Sequence, residues 1–272
     1  MYADSIDKFA KIGAHKALTI VRSPFAFLVG AAMAGAYIGF GDILMFSVGS
    51  HLNQAYMHLI MGAVFACALT IVVFAGSELF TGTAMYMPFA VLRGETGVGG
   101  MVLVWAVCWI GNLIGAVALA AILHAAGGGV LLTDGSEVFF KVVEAKMAAP
   151  AGQLFARGLL CNWLVCLAIW MAARTNSDAA KLGLIFWPVF AFVASGFEHS
   201  VANMFVFALA LISEHPANIT FAGAVHNELF VTLGNLAGGG IFLGLGYWLQ
   251  EGGIGHPSNA RMPAAGNRAR TN

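Results

Sequence analysis

Two short strings place polar and ionisable residues inside long apolar runs. One is Ser77-Glu78-Leu79-Phe80-Thr81-Gly82; the other is Phe197-Glu198-His199-Ser200-Val201-Ala202-Asn203. An ionisable side chain among such neighbours is costly to keep, which makes it a functional candidate. His199 suits proton chemistry, because an imidazole can give and take a proton near physiological pH. Glu78 and Glu198 suit a structural role, accepting hydrogen bonds from backbone N–H groups freed where a helix breaks. Thr81, Ser200, Asn203 and Asn235 either offer uncharged polar contacts to a solute or cap half-helices. The four cysteines, Cys67, Cys108, Cys161 and Cys166, lie in apolar runs without zinc or CxxC spacing and read as small buried hydrophobes. Neither a metal site nor a cofactor is expected. The adjacency of Glu198, His199 and Ser200 does not make a catalytic triad, since sequence neighbours rarely face one another as nucleophile and base, and no HExxH or GxSxG string occurs.

The polar strings come in pairs. Gly76-Ser77-Glu78 and Gly196-Phe197-Glu198 both read G-x-E, while Gly111-Asn112-Leu113-Ile114-Gly115 and Gly234-Asn235-Leu236-Ala237-Gly238 both read G-N-L-x-G. Glu78 precedes Asn112 by 34 residues and Glu198 precedes Asn235 by 37. Two motifs in the same order at similar spacing predict a duplicated three-helix unit. Three is odd, so the second copy enters a membrane upside down, the inverted-repeat plan of many transporters and channels.

The elements that hold these strings are membrane helices. Hydrophobic residues make up 60% of the 272, charged residues only 10%, against about 25% charged in soluble domains. Net charge is zero, and nothing points to nucleic acid. A span needs about 20 apolar residues. Six stretches qualify: Phe25–Val48, Met57–Leu92, Gly100–Ala125, Gln153–Ala173, Ala180–Ile212 and His226–Leu249. The second and fifth are too long for one straight span, and each contains a polar string. Backbone at that depth survives only where protein or a water-filled cavity satisfies its polar groups. Lysine and arginine set the orientation: Lys8, Lys11, Lys16, Arg22, Arg93, Arg174, Lys181, Arg261, Arg268 and Arg270 fall on one side if there are six spans, which predicts cytoplasmic N- and C-termini. Residues 1–24 read as an amphipathic helix lying along the membrane, with Ser5 as N-cap; residues 25–250 read as the transmembrane domain; residues 251–272 read as a disordered cytoplasmic tail.

Ser77–Gly82 (SELFTG), Cys161–Trp170 (CNWLVCLAIW), Ser195–Met204 (SGFEHSVANM) and Thr232–Asn235 (TLGN) resemble the formate/nitrite transporter family, over about residues 20–250, and within it the nitrite-channel branch. The resemblance implies an all-α, aquaporin-like protomer with six spans, an inverted 3+3 repeat and two broken helices. It further implies a homopentamer in the bacterial inner membrane, with one pore per protomer. It puts the family's central histidine on His199, its loop threonine on Thr81, its pore asparagine on Asn235 and its lysine on Lys146. The hydrophobic constrictions fall on Phe65, Leu69, Leu79, Phe80 and Phe192, and Glu78, Glu198 and Asn203 fall in the loops that the breaks form.

The function implied is passage of a small monovalent anion, nitrite first, with formate or hydrosulfide as alternatives. A bare anion loses its hydration in a ring of Phe and Leu, at a cost on the order of tens of kcal/mol before relaxation. A weak acid can cross such a stretch neutral if a proton donor lies between the constrictions, where the motif puts His199. Two other classes compete: a neutral-solute pore, although no Asn-Pro-Ala triplet occurs, and an intramembrane enzyme using His199 and Glu198.

Overall fold

The computed structural model describes residues 2–253, all helix and connecting loop, with no strand among them. The tail expected beyond residue 253 lies outside the described residues. Helix α1 (Ala3–Arg22) is followed by α2 (Pro24–Gly49), α3 (Gln54–Ala75), α4 (Phe80–Leu92) and α5 (Val98–Ala125). After a short 3-10 turn come α6 (Ser136–Ala148), α7 (Ala151–Ala172), α8 (Asp178–Ala194), α9 (Ser200–Ile212) and α10 (Phe221–Leu236). Among the described residues, five helical stretches are long and apolar enough to cross a membrane: α2, α3, α5, α7 and the run from Phe221 to Gln250. Helices α4 and α9 are apolar but only 13 residues each.

The two G-x-E strings are where the chain leaves its helix. Gly76 at φ +75° ends α3 and Gly196 at φ +71° follows the end of α8. This left-handed conformation is a common way to stop a helix and is nearly free only for glycine. The breaks therefore begin slightly earlier than the polar strings suggest. Helix α4 starts at Phe80 and α9 at Ser200, so Thr81 sits in a first helical turn and His199 is an N-cap.

The G-N-L-x-G strings bring helices to backbone contact. A Cβ on Gly115 would collide with the Ala32 carbonyl oxygen, and one on Gly234 would collide with that of Phe155. Helix α5 thus lies directly on α2, and α10 on α7, through small residues. Gly115→Ala is expected to wedge α5 from α2 at a cost of about 1–3 kcal/mol, seen as a lower unfolding temperature in detergent. Gly99→Ala, with open space around the added Cβ, is expected to leave that temperature unchanged.

Two expectations are corrected. Helix α1 does not reserve its apolar face for lipid. Ile6, Phe9, Ala10 and Ile20 are buried within the chain, and Phe9 stacks on Tyr86 of α4 at 5.3 Å and on Trp170 of α7 at 5.6 Å. Periodicity reports an apolar face without saying whether protein or lipid covers it. Nor is Ser5 the N-cap, since α1 begins at Ala3. The Ser5 hydroxyl instead accepts from Arg174 Nη1 at 3.0 Å, and Asp7 pairs with Arg93 at 2.9 Å, tying α1 to two loops. The last apolar stretch also differs from a plain helix. Ala237–Leu245 is π-helical, a rare wide turn, and its Gly239 and Gly240 meet α4 closely enough that a Cβ would reach Ala84.

Candidate functional site

Each break is held by the same four-part arrangement. In the first, the Glu78 backbone N–H donates to the Gly30 carbonyl at 3.1 Å. The Asn112 amide donates to the Glu78 and Ala31 carbonyls at 2.8 Å each, and its Oδ1 accepts from the Phe80 N–H at 2.8 Å. In the second, the Glu198 N–H donates to the Arg157 carbonyl at 3.3 Å. The Asn235 amide donates to the Glu198 and Gly158 carbonyls at 3.0 and 2.7 Å, and Oδ1 accepts from the Ser200 N–H at 2.9 Å. The carboxylates complete the match. Glu78 pairs with Lys16 of α1, and Glu198 Oε2 accepts from Lys146 of α6 at 2.7 Å.

This geometry corrects the role expected of the two glutamates. Freed backbone groups are satisfied by asparagine side chains and neighbouring helices, while the carboxylates pair with lysines. A largely buried charge is expensive unless paired, so each glutamate holds a lysine beside its break. Lys146 also donates to Asn203 Oδ1 at 2.9 Å. Asn203 in turn donates to Glu198 Oε2 and to Asn227 Oδ1, each at 2.8 Å.

Across the space between the breaks, His199 Nε2 lies 3.0 Å from Thr81 Oγ1. Its Nδ1 accepts from the Ala202 backbone N–H at 3.2 Å, capping α9. An Nδ1 that accepts cannot carry a proton, so the neutral ring holds its proton on Nε2 and donates it to Thr81. The Thr81 hydroxyl hydrogen is then left to point elsewhere. Charging the imidazole would set an Nδ1–H against the Ala202 N–H, so His199 gains a second proton only by releasing the cap. Asn162 fixes the Thr81 backbone, donating to the Thr81 carbonyl at 3.1 Å and to that of Asn235 at 2.6 Å.

Of two cavities, one reaches His199 and the other reaches Gly82, next to Thr81. The larger, about 800 Å³, runs from Leu52 and Gln54 past Lys146 to Phe65, Phe192 and His199. A smaller one, about 210 Å³, is lined by Lys16, Leu69, Leu79 and Tyr86. Phe65 and Phe192 meet edge to face at 6.0 Å, and Phe192 stacks on the His199 ring at 6.1 Å. Of the five expected constriction residues, Phe65 and Phe192 border the larger cavity with His199, and Leu69 and Leu79 border the smaller one. Phe80 is buried and borders neither cavity, and its contribution is the backbone N–H that Asn112 receives.

Residues 3–249 match the family described as Formate/nitrite transporter. The chain belongs to this family. The "Nitrite transporter NirC" of Escherichia coli strain K12 is 49% identical over 248 residues, covering 91% of this chain and 92% of that protein. Its namesake in Salmonella typhimurium strain LT2 is 47% identical, with 96% and 97% covered. Among solved structures, an "FNT family ion channel" superposes with a TM-score of 0.88 at 48% identity, covering 91% of this chain and 98% of the other. A "Pentameric formate channel with formate bound" gives a TM-score of 0.73 at 29% identity, with 85% and 98% covered. As a member of the formate/nitrite transporter family the chain is a multi-pass membrane transporter rather than an enzyme.

Within this family member, His199 and Lys146 both line the larger cavity, Thr81 bonds to His199 while bordering neither cavity, and Asn235 is not among the groups open to a solute. Both Asn235 amide hydrogens are donated to backbone carbonyls, and the residue is fully buried. It braces the loop behind His199. Sequence reasoning missed three participants. Lys16 was legible only as a basic residue of an interfacial helix, yet it mirrors Lys146. Asn162 stands inside the CNWLVCLAIW string, where its neighbours suggest no role for it. Asp42 is the only acid in the first apolar stretch, and it lines the larger cavity.

Proposed function

We propose that this chain is a nitrite channel in which the anion passes between two vestibules through a gap bridged by His199 and Thr81. One observation carries the reading: His199, in the wall of the larger cavity with Phe65 and Phe192, has its Nε2 3.0 Å from the Oγ1 of Thr81, whose chain neighbour Gly82 lines the smaller cavity with Leu69 and Leu79. The curated relatives named for nitrite, at 47–49% identity, support nitrite as the substrate.

In this reading α3 with α4, and α8 with α9, are two spans interrupted near mid-membrane, giving six spans in an inverted 3+3 repeat of aquaporin-like plan. The matched bracing of Asn112 with Lys16–Glu78 and of Asn235 with Lys146–Glu198 supports it. Five such protomers form the assembly, by analogy with the pentameric formate channel. The lysine and arginine distribution supports cytoplasmic termini, which makes the larger cavity the outer vestibule of an inner-membrane protein.

The chemistry follows from the order of groups met. Lys146 provides positive potential that concentrates anions in the vestibule. The N-termini of α4 and α9 point the positive ends of their backbone dipoles at the gap. At the Phe65–Phe192 neck, desolvation favours the neutral acid over the anion. The hydrogen bonds of Thr81 and His199 replace water for the species in transit, and proton exchange at His199 accompanies opening of its cap.

Reconstituted into liposomes, the protein is expected to take up nitrite with accompanying protons, and faster than formate or hydrosulfide offered at equal concentration. A faster formate or hydrosulfide flux would reassign the substrate, and no anion flux would remove the channel reading. Lys146→Met is expected to slow nitrite uptake roughly tenfold, about the worth of one charge-assisted hydrogen bond, and to flatten its dependence on ionic strength. Unchanged uptake would leave Lys146 as a partner of Glu198 alone.

A further inference from the structure

The larger cavity contains a charged-type residue that the proposed path does not use. Asp42 lies in α2, is 1% exposed, and forms the cavity wall together with Met45 and Phe46 one turn further on. Neither of its carboxyl oxygens has a hydrogen-bond partner. Its level in the molecule is that of the neck: a Cβ on the adjacent Gly41 would lie 3.3 Å from the Phe65 ring.

The surroundings leave Asp42 unpaired. Helix α6 turns Glu137, Lys141 and Lys146 into the cavity, and Lys146 is already engaged by Glu198 and Asn203. Helix α3 contributes His58 at the cavity wall and Cys67 within electrostatic reach of Asp42. Arg157 of α7 and His199 of the second break also line the cavity. Helix α9, packed on α2, has no titratable residue, and those of α5 are taken up elsewhere, Cys108 by the Glu78 carbonyl and His124 by Ser213. The groups of α1 adjoin the opposite end of α2.

An ionised carboxylate shut away without a partner is among the costliest arrangements in a protein. A neutral carboxyl at the same place is a hydrogen-bond donor, and a protonated aspartic acid in an apolar site can serve an anion as an N–H would. We propose that Asp42 is an anion-contacting residue of the outer vestibule: as the neutral acid its O–H donates to the anion entering the Phe65–Phe192 neck, and its ionisation shuts that subsite. This deepens the reading of the cavity as the outer vestibule and rests on it.

Three proteins in right-side-out liposomes test it: wild type, Asp42→Asn and Asp42→Leu. The amide is a neutral donor at every pH; leucine is neutral and cannot donate. Asp42→Leu is expected to carry nitrite about tenfold more slowly, as for the loss of one hydrogen bond to a charged group. Asp42→Asn is expected to match wild type at acid outer pH and to exceed it at alkaline outer pH, where the carboxyl ionises and repels the anion. Wild-type flux in Asp42→Leu, or Asp42→Asn falling with it, overturns the proposal. Infrared difference spectra of the purified protein separate this from failure of the channel reading. A protonated-carboxyl carbonyl band that disappears in Asp42→Asn and shifts when nitrite is added supports the contact whatever the flux; absence of that band, or its indifference to nitrite, refutes it.

Discussion

His199→Phe is expected to abolish proton-coupled nitrite uptake, with a loss of about a hundredfold, and His199→Asn is expected to lose most of it while keeping the fold. The two variants divide the two jobs of this side chain. Its Nδ1 caps α9 by accepting from the Ala202 N–H, and its Nε2 reaches Thr81 across the gap. Phenylalanine removes both, and loss of the cap alone costs about 1 kcal/mol. Asparagine is among the best N-caps, so it restores the first job, but its side chain is too short to carry a donor to the Nε2 position. The flux lost in the asparagine variant therefore measures the bridge, roughly tenfold or more for a hydrogen bond to a charged species in a dry neck. Liposome uptake, with internal pH followed alongside nitrite, reads both quantities. Undiminished proton-coupled uptake in His199→Asn would reduce His199 to a cap and move the proton step elsewhere.

Much of this was legible in the residues, for physical reasons that also set the limits. The breaks were legible because Gly76 and Gly196 stand before an acid in otherwise unbroken apolar runs, and such a cost in hydrocarbon marks a place the fold must accommodate. The G-N-L-x-G strings were legible as a matched pair, and their glycines as close packing. The partners of Glu78 and Glu198 were not legible, because Lys16 and Lys146 lie 62 and 52 residues away on helices that look merely amphipathic. Sequence periodicity likewise could not tell that α1 folds back onto α4 and α7. The family resemblance assigned Asn235 to the pathway, yet a side chain with two donors beside a broken helix has a second use, and only the folded structure shows that both hydrogens are taken. Phe80 shows the same limit: a large apolar residue after a break reads as a neck whether it faces the path or the core. Asp42 raised no flag because a lone acid in a 26-residue helix lowers hydropathy too little to disturb the span.

The asparagines set the second large effect. Asn235→Leu removes the partners of three buried backbone groups at once: the Ser200 N–H and the Gly158 and Glu198 carbonyls. In a soluble protein water could repair part of that; within a bilayer it cannot. At about 1–3 kcal/mol for each unsatisfied group, the loss is several kcal/mol, a large fraction of the net stability of most proteins. Asn112→Leu strands the Phe80 N–H and the Ala31 and Glu78 carbonyls in the same way, so the two substitutions are expected to be equally damaging although only Asn235 lies behind His199. Asn→Asp at either place keeps the acceptor but withdraws both donors and adds a charge, and should be no better tolerated. Folded yield and unfolding temperature in detergent are the readouts, with nitrite flux measured on whatever protein survives. Were Asn112→Leu harmless while Asn235→Leu unfolds the protein, the two breaks would not be equivalent braces, and the inverted repeat would describe their sequence without describing their mechanics.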